Sequence, residues 1–152
     1  MSERSEGSDD RRLLDPSLFT SVDGQWRLAG SRCGACGAVA FPAQASCARC
    51  TGSDCAPHAL SATGTVWAST VQRFTPKTPY LDAAGTRGAY AVGYVDLAGE
   101  VLVESRLLGS FEQLGIGAPV QFALEELPGS DGQPVWTFAF GPVGDRLAGS
   151  NP

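Results

Sequence analysis

The 152-residue chain has no apolar run near the roughly 20 residues that a membrane-spanning helix needs. Its start, MSERSEGSDDRR, is polar and charged and lacks the apolar core of a signal peptide, so a cytoplasmic protein with reduced cysteines is expected. Basic residues are sparse. Eleven Lys and Arg stand against 16 Asp and Glu, for a formal charge of −5. That balance disfavours sequence-independent binding to a phosphate backbone, although a local basic pocket for one phosphorylated small molecule stays open. The P-loop, G-x-G-x-x-G, G-x-S-x-G and H-E-x-x-H motifs are all missing. There is one histidine, His58, with no signal for a nucleophile that it could serve. The adjacent Glu125 and Glu126 fall on an expected strand, where neighbours point to opposite faces, so they do not form an acid/base dyad. These absences point away from a self-contained active site and towards binding or assembly.

What is present fits a soluble globular protein: 43% hydrophobic and 18% charged residues. Nineteen glycines and ten prolines favour turns and short strands over long helices. Residues 1–14 read as a solvated tail, and Asp15-Pro16-Ser17 has the form of a helix start. Only a short helix through Leu18 and Phe19 fits before Asp23-Gly24 turns the chain, and residues 25–30 then form a short strand.

The segment CGACGAVAFPAQASCARC holds two C-x-x-C units separated by ten residues: Cys33 with Cys36, and Cys47 with Cys50. Each unit can form a knuckle whose backbone amides point at sulfur and favour thiolate. Two facing knuckles give the tetrahedron of sulfurs that zinc accepts. Gly34 and Gly37 relieve crowding around the first pair. Iron, disulfides or an empty site are the competing readings. Four thiolates would close the coordination sphere, so the metal would be scaffolding and not catalyst. Cys55 could replace Cys50 but lacks a C-x-x-C partner, so it and His58 read as a spare thiol and a loop histidine.

Beyond the cysteines the pattern changes to strands over 64–74, 89–97, 100–108, 119–127 and 134–140. The second and third form a hairpin, with Val101, Val103 and Ser105 alternating with Leu102, Glu104 and Arg106. Ser110 to Gln113 has the form of a capping box and predicts one helical turn ending at Gly115. Five strands with a short helix between the third and fourth match the order of an OB-fold barrel. The expected division is a tail over 1–14, a helix and zinc ribbon over 15–60, an OB-fold over 61–143 and a tail over 144–152.

The chain resembles the zinc-ribbon/OB-fold accessory proteins that accompany thiolase-type acyl-CoA enzymes. The resemblance is carried by CGACGAVAFPAQASCARC, LSATGTVWASTV, AYAVGYVDL, LGIGAPVQF and FAFGPV, in that order. The cysteine-Phe-Pro-cysteine block followed by the G-T-V-W strand is its most specific part. It implies a mainly β protein with an N-terminal helical segment, a rubredoxin-like zinc ribbon and a five-stranded OB-fold. It also implies a non-catalytic subunit that binds and stabilises a thiolase, hydroxymethylglutaryl-CoA synthase, acetyltransferase assembly or steroid side-chain aldolase. The partner would hold the catalytic residues, and the small subunit would help hold CoA or acyl-CoA. Some relatives are fused to a hydratase domain, which adds a hydratase to the implied partners.

A physical case for CoA contact rests on Arg73, Lys77 and Arg87, which bracket the long loop FTPKTPYLDAAGTRGAY. Their charges could meet CoA phosphates, with Phe74 or Tyr80 against adenine; a solvated loop is the equal alternative. Trp67, Trp136 and Phe138 lie on strands and read as core or interface. Zinc ribbon plus OB-fold also suggests a single-stranded nucleic-acid binder, against which the acidic balance weighs.

Overall fold

The computed structural model describes residues 11–72 and 90–144. The chain divides into two compact units, Met1–Ser61 and Ala62–Pro152.

In the first unit the Asp15 carboxylate accepts hydrogen bonds from the Ser17 backbone N–H at 3.1 Å and the Ser17 hydroxyl at 2.6 Å. This caps a single 3-10 turn, Pro16–Leu18. Of the expected N-terminal helical segment, that turn is all that the described residues contain. Phe19 leaves it to open strand β1 (Phe19–Val22), which pairs antiparallel with β2 (Gln25–Cys33). The hairpin wins for a physical reason. A helix this short would leave nearly every amide without an intrahelical partner, whereas four ladder pairs satisfy the same backbone. The ladder also sets buried Phe19 opposite buried Leu28 and edge-on to Trp26, with ring centroids 5.9 Å apart. Asp23 and Gly24, at φ 52° and 80°, form the tight turn between the strands. The far half of β2 pairs with β3 (Val39–Ala40) and β4 (Cys55–Ala59), so Cys33 ends a strand held by neighbours.

The second unit is a closed five-stranded barrel. Its strands are β5 (Thr63–Gln72), β6 (Tyr90–Leu97), β7 (Val101–Leu107), β8 (Pro119–Pro128) and β9 (Pro134–Pro142), in the spatial order β5-β6-β7-β9-β8. β6 and β7 join through a tight turn at Ala98-Gly99, and their register pairs Val95 with Val103 and Ala91 with Leu107. Those residues point inward with Leu97, while Tyr94, Leu102 and Glu104 point out. Phe140, fully buried, meets Phe122 edge-on at 6.1 Å and stands opposite Leu107 where β7 and β9 run parallel. The 3-10 turn Phe111–Leu114 sits between β7 and β8, with the Gln113 side-chain oxygen accepting from the Ser110 N–H at 3.0 Å.

Two irregularities shape the outside of the barrel. In β5 the register slips between Val66, opposite Val95, and Ala68, opposite Tyr94, so Trp67 is an extra residue in a bulge. Gly93 faces this bulge, and a Cβ there would press into the Ala68 carbonyl. On the outer face of β7 the Arg106 guanidinium lies 4.4 Å above the Tyr90 ring and donates to Glu125 of β8 at 2.9 Å. Between them in strand order β9 presents the small Ala139, fully buried. Burial pushes the Glu125 carboxyl up from its ordinary value, and the attraction of Arg106 offsets only part of this.

Candidate metal centre

The two C-x-x-C segments fold into knuckles with one hydrogen-bond pattern. In the first, the Cys33 N–H donates to the Ala38 carbonyl at 2.8 Å and Gly37 N–H returns to the Cys33 carbonyl at 2.9 Å. In the second, Cys47 N–H donates to Gly52 O at 2.8 Å and Thr51 N–H returns to Cys47 O at 2.9 Å. The equivalent residues Gly37 and Thr51 are both left-handed, at φ 81° and 64°. Glycine takes that conformation freely, whereas Thr51 is a β-branched residue there, and its hydroxyl donates to the Cys50 carbonyl. Each knuckle also turns amides onto its first sulfur: Ala35 N–H onto Cys33 at 3.4 Å, and Arg49 N–H onto Cys47 at 3.3 Å.

The knuckles face each other. Sγ of Cys33 lies 3.6 Å from that of Cys50, and Sγ of Cys36 lies 3.6 Å from that of Cys47. All four sulfurs fall within 4.8 Å of one another. A tetrahedral zinc with bonds of about 2.3 Å would set its sulfurs about 3.8 Å apart, so the donor set fits zinc in both chemistry and spacing. Cys33 and Cys47 are buried, Cys36 half-buried and Cys50 exposed.

The electrostatics of the metal-free thiols point the same way. Hydrogen bonds from the backbone at Cys36 and Ala35 lower the Cys33 thiol to about 6, despite burial. Amides of Cys50 and Arg49 likewise lower Cys47. The Gly52 amide favours a Cys50 thiolate, but the sulfurs of Cys33, Cys36 and Cys47 outweigh it and push that thiol up to about 12. Four negative sulfurs cannot share this volume unaided, and a divalent cation removes the conflict.

Cys55 lies outside the four-sulfur group. It stands on β4 opposite Cys33 in the ladder, and burial raises its thiol, with the charge of Cys33 adding to the effect. His58 occupies the same strand opposite Gly30. Arg73, Lys77 and Arg87, with Phe74 and Tyr80, lie outside the described residues. Trp136 and Phe138 are half-buried on β9, whereas Trp67 is 56% exposed and meets Tyr94 edge-on at 6.3 Å. The sequence reading did not single out Tyr94; its place beside Trp67 depends on a bulge that strand alternation does not reveal. Among the described residues no helix is long and apolar enough to cross a membrane.

Two domain models match in succession. The model for "ChsH2, rubredoxin-like zinc ribbon domain" covers residues 25–57, and "ChsH2, C-terminal OB-fold domain" covers residues 57–125. The chain belongs to the ChsH2 zinc-ribbon/OB-fold family. A solved structure described as "Ltp2-ChsH2(DUF35) aldolase" contains a chain similar to this one. The two are 25% identical with a TM-score of 0.56, over 76% of this chain and 84% of that one. No curated protein matches. In this ChsH2-type chain the zinc-ribbon match contains all four sulfur donors just described.

Proposed function

We propose that this chain is a non-catalytic subunit that binds and stabilises a thiolase-superfamily acyl-CoA enzyme, of the thiolase-like aldolase kind, in the cytoplasm. The observation that carries this reading is the ribbon-then-barrel architecture of the ChsH2 family, shared with a chain of an aldolase assembly. Cys33, Cys36, Cys47 and Cys50 hold one structural zinc, whose closed thiolate shell leaves no position for substrate. Catalysis belongs to the partner, and lipid or steroid side-chain acyl-CoA is the substrate class.

Co-expression with the organism's thiolase-like aldolase subunit tests this. The two chains are expected to co-elute on gel filtration, and the aldolase to lose soluble yield or activity when expressed alone. A lone monomer in the presence of that subunit, or turnover by the isolated chain, would overturn it.

Arg73, Lys77 and Arg87 are proposed to meet the phosphates of CoA shared with the partner. Replacing all three by Ala should raise the KM of the assembled enzyme for acyl-CoA roughly tenfold, by loss of charge-assisted contacts. An unchanged KM would remove CoA contact from the reading and leave the assembly role intact.

A further inference from the structure

We propose that the outer face of β5, β6 and β7, centred on Trp67 and Tyr94, docks the catalytic subunit through a patch of that partner with an apolar recess rimmed by Lys and Arg. The inference deepens the assembly role proposed above and rests on it.

Three apolar side chains share this face: Trp67 at 56% exposure, Tyr94 at 43% and Leu102 at 41%. Their coincidence is built by the register. Tyr94 stands beside Ala68 on one side and Glu104 on the other, while Leu102 stands opposite Asp96, two residues along β6. Bulges re-aim side chains, and the slip at Val66/Ala68 adds Trp67 as a second residue opposite Tyr94. The close approach that Gly93 permits keeps that bulge against β6. A strand that spends its irregularity on presenting tryptophan to water has a use for the exposed ring. Tryptophan and tyrosine are the residues that most often dominate the energy of protein interfaces.

Charge selects the kind of partner. Asp96 and Glu104 interleave with the apolar side chains on this face. The base on the same face of β7, Arg106, is engaged by Glu125 and stacked on Tyr90. The described charges around the aromatic pair are therefore negative on balance, in a chain of net charge −5. A Lys/Arg-rimmed protein surface complements it. The outer face of these strands is where OB-folds bind oligonucleotides, yet among the described residues of this face a phosphate backbone would meet the carboxylates of Asp96 and Glu104, with Arg106 already held by Glu125.

The test uses the full chain and the purified aldolase subunit, with affinity and association rate measured against salt. Trp67→Ala and Tyr94→Ala should each weaken binding by roughly 30-fold or more, the loss typical of an interface hot spot. Glu104→Lys should slow association and flatten its salt dependence. Unchanged zinc content and melting temperature in each variant show that the fold is retained. If the parent chain binds and these variants bind equally well, the surface is wrong while the assembly role stands. If the parent chain does not bind the subunit, both fall. Self-association abolished by Trp67→Ala would make a second copy the occupant and overturn the proposal. Salt-dependent binding of a single-stranded oligonucleotide, abolished by the same change, would also overturn it.

Discussion

Replacing Cys33 or Cys47 by Ser is expected to take the chain from one bound zinc to less than about a tenth, because three thiolates and a hydroxyl hold the ion far more weakly. The loss should unfold the ribbon with it. Among the described residues of the first unit the buried apolar side chains are few: Phe19, Leu28 and Leu60, joined by Cys33 and Cys47 themselves. So small a core cannot offset the entropy of ordering the intervening loops, and the metal supplies what is missing. Hydrogen exchange should lose its protection over residues 25–60 and keep it over β6–β9, whose core of Val95, Leu97, Val103 and Phe140 holds no metal ligand. Cys55→Ser is the internal control, expected to leave zinc stoichiometry unchanged, whereas Cys50→Ser should lose it. Retained protection in the zinc-free ribbon would remove the structural role of the metal.

Acid should act on the same site through competition between protons and zinc. In the metal-free ribbon the folded state depresses Cys33 from 9.0 to about 6, and Cys47 moves the same way. This contribution to stability is fully present above the unfolded value and is lost as pH falls through the folded one. With zinc bound, proton uptake must in addition displace the ion, so chelator resistance should decline steadily as the solution is acidified.

Glu125→Ala is expected to destabilise the barrel by about 3 kcal/mol, through the Arg106 guanidinium that it leaves behind in a largely dry setting. Arg106→Met combined with Glu125→Leu should recover most of that loss, since a paired charge at such a place contributes little beyond what packed methylenes would. Chemical denaturation of the single and double variants measures both. The pH dependence carries its own sign. Folding raises the Glu125 carboxyl, so the group favours the folded state below its ordinary value and that advantage is lost as pH rises through the raised one. The double variant should lack this component. A double variant as unstable as Glu125→Ala would show that the ion pair itself, and not its desolvation, decides the energy.

The barrel and its five strands were legible because each strand carries its own period. In β7, Val103, Ser105 and Leu107 alternate inward against Leu102, Glu104 and Arg106, and the alternation fixes both the strand and its face. The Ser110–Gln113 turn was legible for an equally local reason, a side chain two residues inside the turn reaching back to its start. β1 was harder. Phe-Thr-Ser-Val is too short to show a period, and the preceding Asp-Pro-Ser favoured helix. The Asp23-Gly24 pair at its end was the available hairpin signal. The four cysteines announced a metal by spacing, but the match between the knuckles, Gly37 against Thr51, is a backbone fact that glycine counting would place at one end only. The Arg106–Glu125 pair and the Trp67–Tyr94 contact join residues 19 and 27 positions apart, and no local pattern encodes either.

The barrel closes through a single parallel rung, Leu107 beside Phe140, reinforced by the Leu108 N–H reaching the Phe140 carbonyl at 2.8 Å. Within each half of the wall the neighbours zip together over long antiparallel ladders, nine pairs between β8 and β9 and seven between β6 and β7. Mechanically the barrel is then two sheets joined along two short seams, three pairs between β5 and β8 and the lone rung at Leu107 and Phe140, and the rung is the weaker seam. Fluctuations that breathe open the wall will start at that seam. A tug transmitted along β7 from a subunit gripping its outer face would be felt there before anywhere else in the wall.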